Sequence, residues 1–222
     1  MNVMFDLYGT LIDIHTDEEN DNFWIKVAKK LKKYKEYDHK VLKEEYLNYV
    51  KYLEKDIEEI EIRDVFKYLF NTNLEDTEKI CQIFRKLSTE YIRLYKGVKK
   101  LLKRLKKEGI KLYVLSNAQN SFTIPELKKL GIYKYFDGIA ISSDYKYKKP
   151  NQNFFKNAMK SFKIEIADTM MIGNDYECDI VPSIELGLKY IFIESNLTPK
   201  NNFSDKIIGF DETIIFNKIN KK

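Results

Sequence analysis

The sequence predicts an α/β fold, a doubly wound parallel sheet with helices on both faces, interrupted by an inserted helical block. Three observations carry this. A short apolar run from Met1 to Phe5 stops abruptly at Asp6 and a glycine-containing turn. From Asn22 to Tyr95, apolar residues recur at helical spacing, with no run that reads as a strand. After Gly97, short apolar runs alternate with amphipathic stretches, the texture of βαβ units.

Taken in order, residues 1–5 form a buried strand, and the following Leu7-Tyr8-Gly9-Thr10 holds the only glycine before residue 97. In the helical block, Phe23, Val27, Leu31 and Tyr34 mark one stripe, and Leu42, Tyr46, Tyr49, Leu53, Ile57 and Ile60 a second. Residues 65–70 and 80–94 extend the block to about four helices. Beyond Gly97 the pattern predicts helix 98–108, strand 110–116, helix 124–130, strand 139–142 and helix 153–162. Strand 169–172, helix 180–186, strand 190–193 and a last strand over 213–216 follow. Residues 1–15 and 96–222 then make the core, and 16–95 the insertion.

Composition bounds the function. The 222 residues suffice for a core plus a smaller insertion, and 44% hydrophobic with 33% charged residues are globular values that exclude disorder. The net charge of +5 rests on lysines such as Lys99, Lys100 and Lys103, interleaved with Leu101, Leu102 and Leu105. That is a core-facing helix with a solvated basic face, so no nucleic-acid partner is expected. Two cysteines, Cys81 and Cys178, make no disulfide framework, and no apolar run approaches the ~18 residues of a membrane span. A soluble, cytoplasmic protein, monomer or homodimer, is the expectation.

Open α/β sheets bind ligands outside the carboxyl ends of their strands. The residues at those ends are Asp6, Ser116-Asn117, Ser142 to Asp144, and Gly173 to Asp179. They fall into motifs: Phe5-Asp6-Leu7-Tyr8-Gly9-Thr10-Leu11, Leu115-Ser116-Asn117, Lys149-Pro150, and Ile172-Gly173-Asn174-Asp175 through Asp179-Ile180. In that order and spacing they resemble the four motifs of the haloacid dehalogenase superfamily of hydrolases, which have a Rossmann-like core. The helical block falls between the first two, where that superfamily inserts its C1 cap.

The resemblance implies Asp6 as a carboxylate nucleophile. It implies Thr10, Ser116 and Asn117 as donors to the substrate, and Lys149 as the charge-balancing cation. It further implies a magnesium ion held by Asp6, the Tyr8 carbonyl, Asp175 and Asp179, since magnesium takes few protein oxygens. Asn174 stands after Gly173 where an aspartate often sits. Without that context, Asp6 reads as a turn former and Ser116-Asn117 as ordinary loop chemistry.

Tyr8 departs from the phosphatase pattern, which places an acid there to protonate the leaving group. A phenol with pKa about 10 does that poorly, and general acid–base catalysis is worth roughly 10²–10⁴-fold. Tyrosine here resembles the 2-haloacid dehalogenases, which need no metal. Those carry an arginine soon after the nucleophile, whereas this chain has none between Asp6 and Arg63. His15 and Asp13 offer a substitute acid and base, or else begin the first helix of the block with Thr16 and Asp17. The expected function is a magnesium-dependent phosphatase of a small phosphorylated molecule. The alternatives are a dehalogenase-like hydrolase and a weakly active binding member of the fold.

Overall fold

A computed structural model describes residues 1–220. Strand β1 (Asn2–Phe5) lies at the centre of a six-stranded sheet, flanked by β4 (Lys111–Ser116) and β6 (Thr169–Gly173). Beyond β4 lies β5 (Gly138–Ile141); beyond β6 lie β7 (Lys189–Glu194) and the two-residue β8 (Ile207–Ile208). Every pairing in this sheet is parallel.

Strand alternation assigns the residues to two faces. Val3, Phe5, Leu112, Val114, Met170 and Ile172 pack on one side against α5 (Val98–Lys107) and the C-terminal α10 (Glu212–Asn220). Met4, Tyr113, Leu115 and Met171 pack on the other against Phe154, Phe155, Ala158 and Met159 of α8 (Gln152–Phe162).

The expected last strand over 213–216 is instead part of α10. Asp211 caps it by accepting the amides of Thr213 and Ile214, and Ile215, Phe216 and Ile219 bury one helical face. The β-branched run reads as a strand, but the cap and the 3.6-residue spacing prevail.

Helices α1 (Asp21–Leu31), α2 (His39–Leu53), α3 (Ile62–Phe70) and α4 (Leu74–Ser88) form the inserted block around their own apolar core. Asn20, not Thr16 or Asp17, caps α1. The helix expected through residue 94 ends at Ser88. Thr89–Leu94 is a strand, β3, antiparallel to β2 (Ile12–Thr16). It escaped sequence reading because Thr89, Ile92 and Leu94 also suit a helix, and only pairing with a segment over 70 residues away makes it a strand.

Helix α6 (Asn120–Lys129) begins four residues earlier than the expected start at 124 and carries Pro125 inside it. Proline removes the amide that would bond the Ser121 carbonyl, and Gln82 of α4 donates to that carbonyl instead. Gln119 binds Glu59 and the backbone of Ile60 and Ile62, adding a second tie between block and core.

Candidate active site

β1 delivers Asp6 to the carboxyl edge where the strand order reverses, β4 continuing on one side and β6 on the other. A crevice opens at such a point. Here it is a cleft of about 170 Å³ lined by Asp6, Tyr8, Asn117, Lys149, Asn174 and Asp175, with Cys178 and Asp179 behind and Leu197 and Pro199 at one wall.

Lys149, in the loop before α8, reaches between two acids. Its Nζ lies 2.7 Å from Asp6 Oδ1 and 2.6 Å from Asp179 Oδ1, and all three side chains are buried. Burial alone would drive the proton off the ammonium. Asp179 and then Asp6 outweigh it and hold the lysine charged, above its ordinary range. Burial pushes the Asp179 carboxyl up to about 6, with Lys149 opposing and Asp6 adding to the rise. Asp179 also accepts the Asp175 amide at 3.0 Å. A Cβ on Gly173 would lie 2.2 Å from Asp179 Oδ2, so glycine is what lets that carboxylate lie over the strand end.

Asn117 holds the lysine's backbone: its amide donates to the Lys149 carbonyl (2.8 Å) and accepts the Lys149 N–H (2.7 Å). Asn117 thus positions Lys149, while its second amide hydrogen remains available at the cleft it lines. Ser116 differs. Its hydroxyl is buried at the end of β4 without a hydrogen-bond partner among the described residues, a cost unless a ligand meets it. Thr10 is fully buried, with Oγ1 3.1 Å from Asp6 Oδ2, so it fixes that carboxylate.

The Tyr8 phenol does not serve Asp6. It donates to Glu126 Oε2 of α6 at 2.6 Å and lies 3.1 Å from Thr123 Oγ1, while Arg85 of α4 clasps Glu126 Oε1 at 2.6 Å. Burial first, then Glu126, raise the phenol above its ordinary range, so it stays protonated. Two residues after Asp6, Tyr8 is by sequence a candidate catalytic residue; its side chain instead links the loop after β1 to α6 and the helical block. Sequence reading missed Arg85 and Glu126, which lie 77 and 118 residues from Tyr8 and carry no local signal.

His15 and Asp13 stand on β2, outside the cleft lining. His15 is exposed beside Glu90, and Asp13 is buried on Arg93 (2.8 Å) and Asn196 (2.9 Å). Neither reaches Asp6 as a substitute acid. Burial, then Asp175 and Asp179, push the Cys178 thiol up to about 12, which disfavours its thiolate.

The donor set for a cation is narrow. The side-chain amide of buried Asn174 lies 3.1 Å from Asp6 Oδ2, the Tyr8 carbonyl and Thr10 Oγ1. Its NH2 turned toward them donates to these oxygens. Its carbonyl turned toward them brings it together with Asp6 Oδ2 and the Tyr8 oxygen at about 3 Å, the spacing of adjacent ligands on an octahedral magnesium with 2.0–2.1 Å bonds. Gly9 makes this approach possible: with φ +90°, a Cβ there would lie 2.2 Å from the Asn174 amide. Asp179 is held by Lys149, and Asp175 accepts the Cys178 amide at 3.0 Å. Among the described residues no three His, Cys, Asp or Glu side chains converge to hold a metal.

The chain belongs to the haloacid dehalogenase-like hydrolase family, whose model matches residues 3–193. It is 30% identical over 111 residues to a glyceraldehyde 3-phosphate phosphatase of Methanothermobacter thermautotrophicus, covering 50% of this chain and 49% of that protein. It is 25% identical over 117 residues to the N-acylneuraminate-9-phosphatase of Rattus norvegicus, covering 53% and 47%. The matches thus span about half the length of these curated relatives. In fold it resembles a HAD phosphatase from Thermococcus onnurineus, with TM-score 0.56, 19% identity and 92% and 91% coverage. It also resembles YfnB of Bacillus subtilis, described as a HAD-hydrolase bound to magnesium, with TM-score 0.59, 15% identity and 99% and 98% coverage. Among the described residues no helix is long and apolar enough to cross a membrane.

Proposed function

We propose that this protein is a phosphomonoester hydrolase acting on a small phosphorylated molecule through an aspartyl-phosphate intermediate at Asp6. The observation that carries this reading is the state of Asp6. The carboxylate is held at both oxygens, by Lys149 and Thr10, in the lining of a cleft with room for a phosphoryl group. The phosphatase names of the relatives support it.

In this mechanism an Asp6 oxygen attacks phosphorus, the ester P–O bond breaks and the alcohol oxygen leaves with the electron pair, taking its proton from water. Water then attacks phosphorus, releasing phosphate and restoring the Asp6 carboxylate. Lys149 balances charge on Asp6 and on the transferring oxygens, and Ser116 donates to one of them. Asp6, the Tyr8 carbonyl and Asn174 would hold magnesium, with Asp175 at the rim and Asp179 behind Lys149. Once bound, the ion supplies charge stabilisation to the phosphoryl oxygens. Residues 16–95 act as the cap that closes over the cleft.

The test is turnover of 4-nitrophenyl phosphate by purified protein, with magnesium and with a chelator. Activity that needs magnesium and falls at least roughly a hundredfold in Asp6→Asn is expected. Tyr8 in place of an acid favours one second reading, dehalogenation, in which Asp6 attacks carbon and halide leaves unprotonated. Halide release from 2-chloropropionate in the presence of chelator, without phosphate release, would establish that reading instead. Absence of both points to a binding role.

A further inference from the structure

We propose that Leu197 and Pro199 form a selectivity wall for the substrate's organic group, positioned by Asn196, and that the site admits phosphomonoesters whose organic group is uncharged. This rests on the phosphatase reading and goes beyond it to the substrate class.

Two quantities lead there. The cleft, of about 170 Å³, has room for a phosphoryl group beside Asp6 and Lys149. The substrate's organic group then lies against the rest of the lining. The charged groups lining the cleft are three carboxylates, Asp6, Asp175 and Asp179, against the single ammonium of Lys149, which two of those carboxylates already hold. Among the residues lining the cleft, no other cation is left for a second anion. Leu197 and Pro199, by contrast, present apolar surface there.

This wall is not a slack loop. Asn196 accepts from the Tyr95 hydroxyl at 2.6 Å and donates to Asp13 at 2.9 Å, fastening the segment to the β2–β3 ribbon. Ser195 and Thr198 close the turn, with the Ser195 amide 2.8 Å from Thr198 Oγ1 and the Leu197 amide 3.2 Å from Ser195 Oγ. Asn196 is a positioning residue, since it stands outside the cleft lining and acts through its neighbours.

Calorimetry with benzylphosphonate, phosphonoacetate and inorganic phosphate, in the presence of magnesium, tests the proposal without requiring turnover. Wild type should bind benzylphosphonate at least tenfold more tightly than phosphonoacetate. Leu197→Ala should weaken benzylphosphonate about five- to tenfold and leave inorganic phosphate within twofold. Asn196→Ala should reproduce this selective loss, Tyr95→Phe should give a smaller one, and substrate turnover should show KM raised more than kcat is lowered. Equal losses for both ligands, no loss in Leu197→Ala, or tighter binding of phosphonoacetate would overturn the proposal. If wild type binds inorganic phosphate but no phosphonate, the wall is refuted and the phosphatase reading stands. If it binds none of the three, both fall. Leu197 is only half-buried, so its truncation should leave folding intact even where Asn196→Ala does not.

Discussion

The Tyr8 hydroxyl donates to Glu126 at 2.6 Å, and Glu126 in turn accepts Arg85 at 2.6 Å, so the side chain two residues beyond Asp6 belongs to a buried link between core and helical block. Tyr8→Phe should therefore leave the dependence of rate on leaving-group pKa unchanged. It should lower stability by ~1–3 kcal/mol, because a buried charged acceptor loses a donor. Denaturant unfolding and a series of aryl phosphates check the two halves. A steeper leaving-group dependence in Tyr8→Phe would restore the phenol to a catalytic role.

Magnesium affinity should follow Asn174. Asn174→Asp adds a second carboxylate beside Asp6 Oδ2 and should tighten magnesium at least about tenfold, whereas Asn174→Ala should weaken it. Asp175→Ala should change it less than Asn174→Ala, since Asp175 caps the turn at Cys178. Calorimetric titration of magnesium into each variant measures this. A larger loss in Asp175→Ala would return the ligand role to Asp175.

Most of the sheet was legible because its strands are buried on both faces and read as apolar runs; Asp6 and Ser116 fall at strand ends, Asp179 in the loop after one, and Lys149 is marked by Pro150 before a helix. The orientation of their polar groups was not legible. Nothing near Asn117 in the chain shows that its amide clasps the Lys149 backbone, 32 residues on. The β3 strand and α10 were misread for one reason: Thr89–Leu94 and residues 213–216 suit either state locally, and partners far along the chain decide.

Lys149→Met should destabilise the fold by roughly 3–5 kcal/mol, since it leaves Asp6 and Asp179 buried without their shared cation. Adding Asp179→Leu should recover part of that loss. Urea unfolding of the two single variants and the double variant gives the coupling, and strict additivity would contradict the shared-cation picture.

Phe84→Ala should cost about 3–5 kcal/mol, because the ring is fully buried among Phe23, Trp24, Tyr46 and Phe66 at 5.0–5.8 Å and meets Phe122 of α6 at 6.5 Å. Thermal unfolding should show it as a lower Tm. A change below 1 kcal/mol would mean the block repacks freely.

Acid should loosen the β4–β5 edge through Asp137. Burial pushes this carboxyl up, but Lys106 (2.6 Å), the Leu112 amide (2.9 Å) and Lys111 (3.2 Å) outweigh it and hold it below the usual carboxylate range. A depressed carboxyl stabilises the fold above its unfolded pKa, about 3.9, and loses that contribution as pH falls through the lower folded value. Asp137→Asn should therefore be less stable than wild type at pH 6, by ~1–3 kcal/mol, and approach it well below pH 4. Unfolding curves at both pH values decide it, and a constant difference would reject the assignment.

The β2–β3 ribbon places Ile12 opposite Leu94 and Thr16 opposite Thr89, so the chain leaves the sheet and re-enters it side by side. Topologically the four helices are the loop of one hairpin. Lengthening, trimming or exchanging them leaves the spacing of the two splice points, and hence of β1 and β4, untouched. The block is in this sense a cassette, able to change length while the ribbon holds its two ends, provided the contacts it makes with Tyr8, Gln119 and Phe122 are kept.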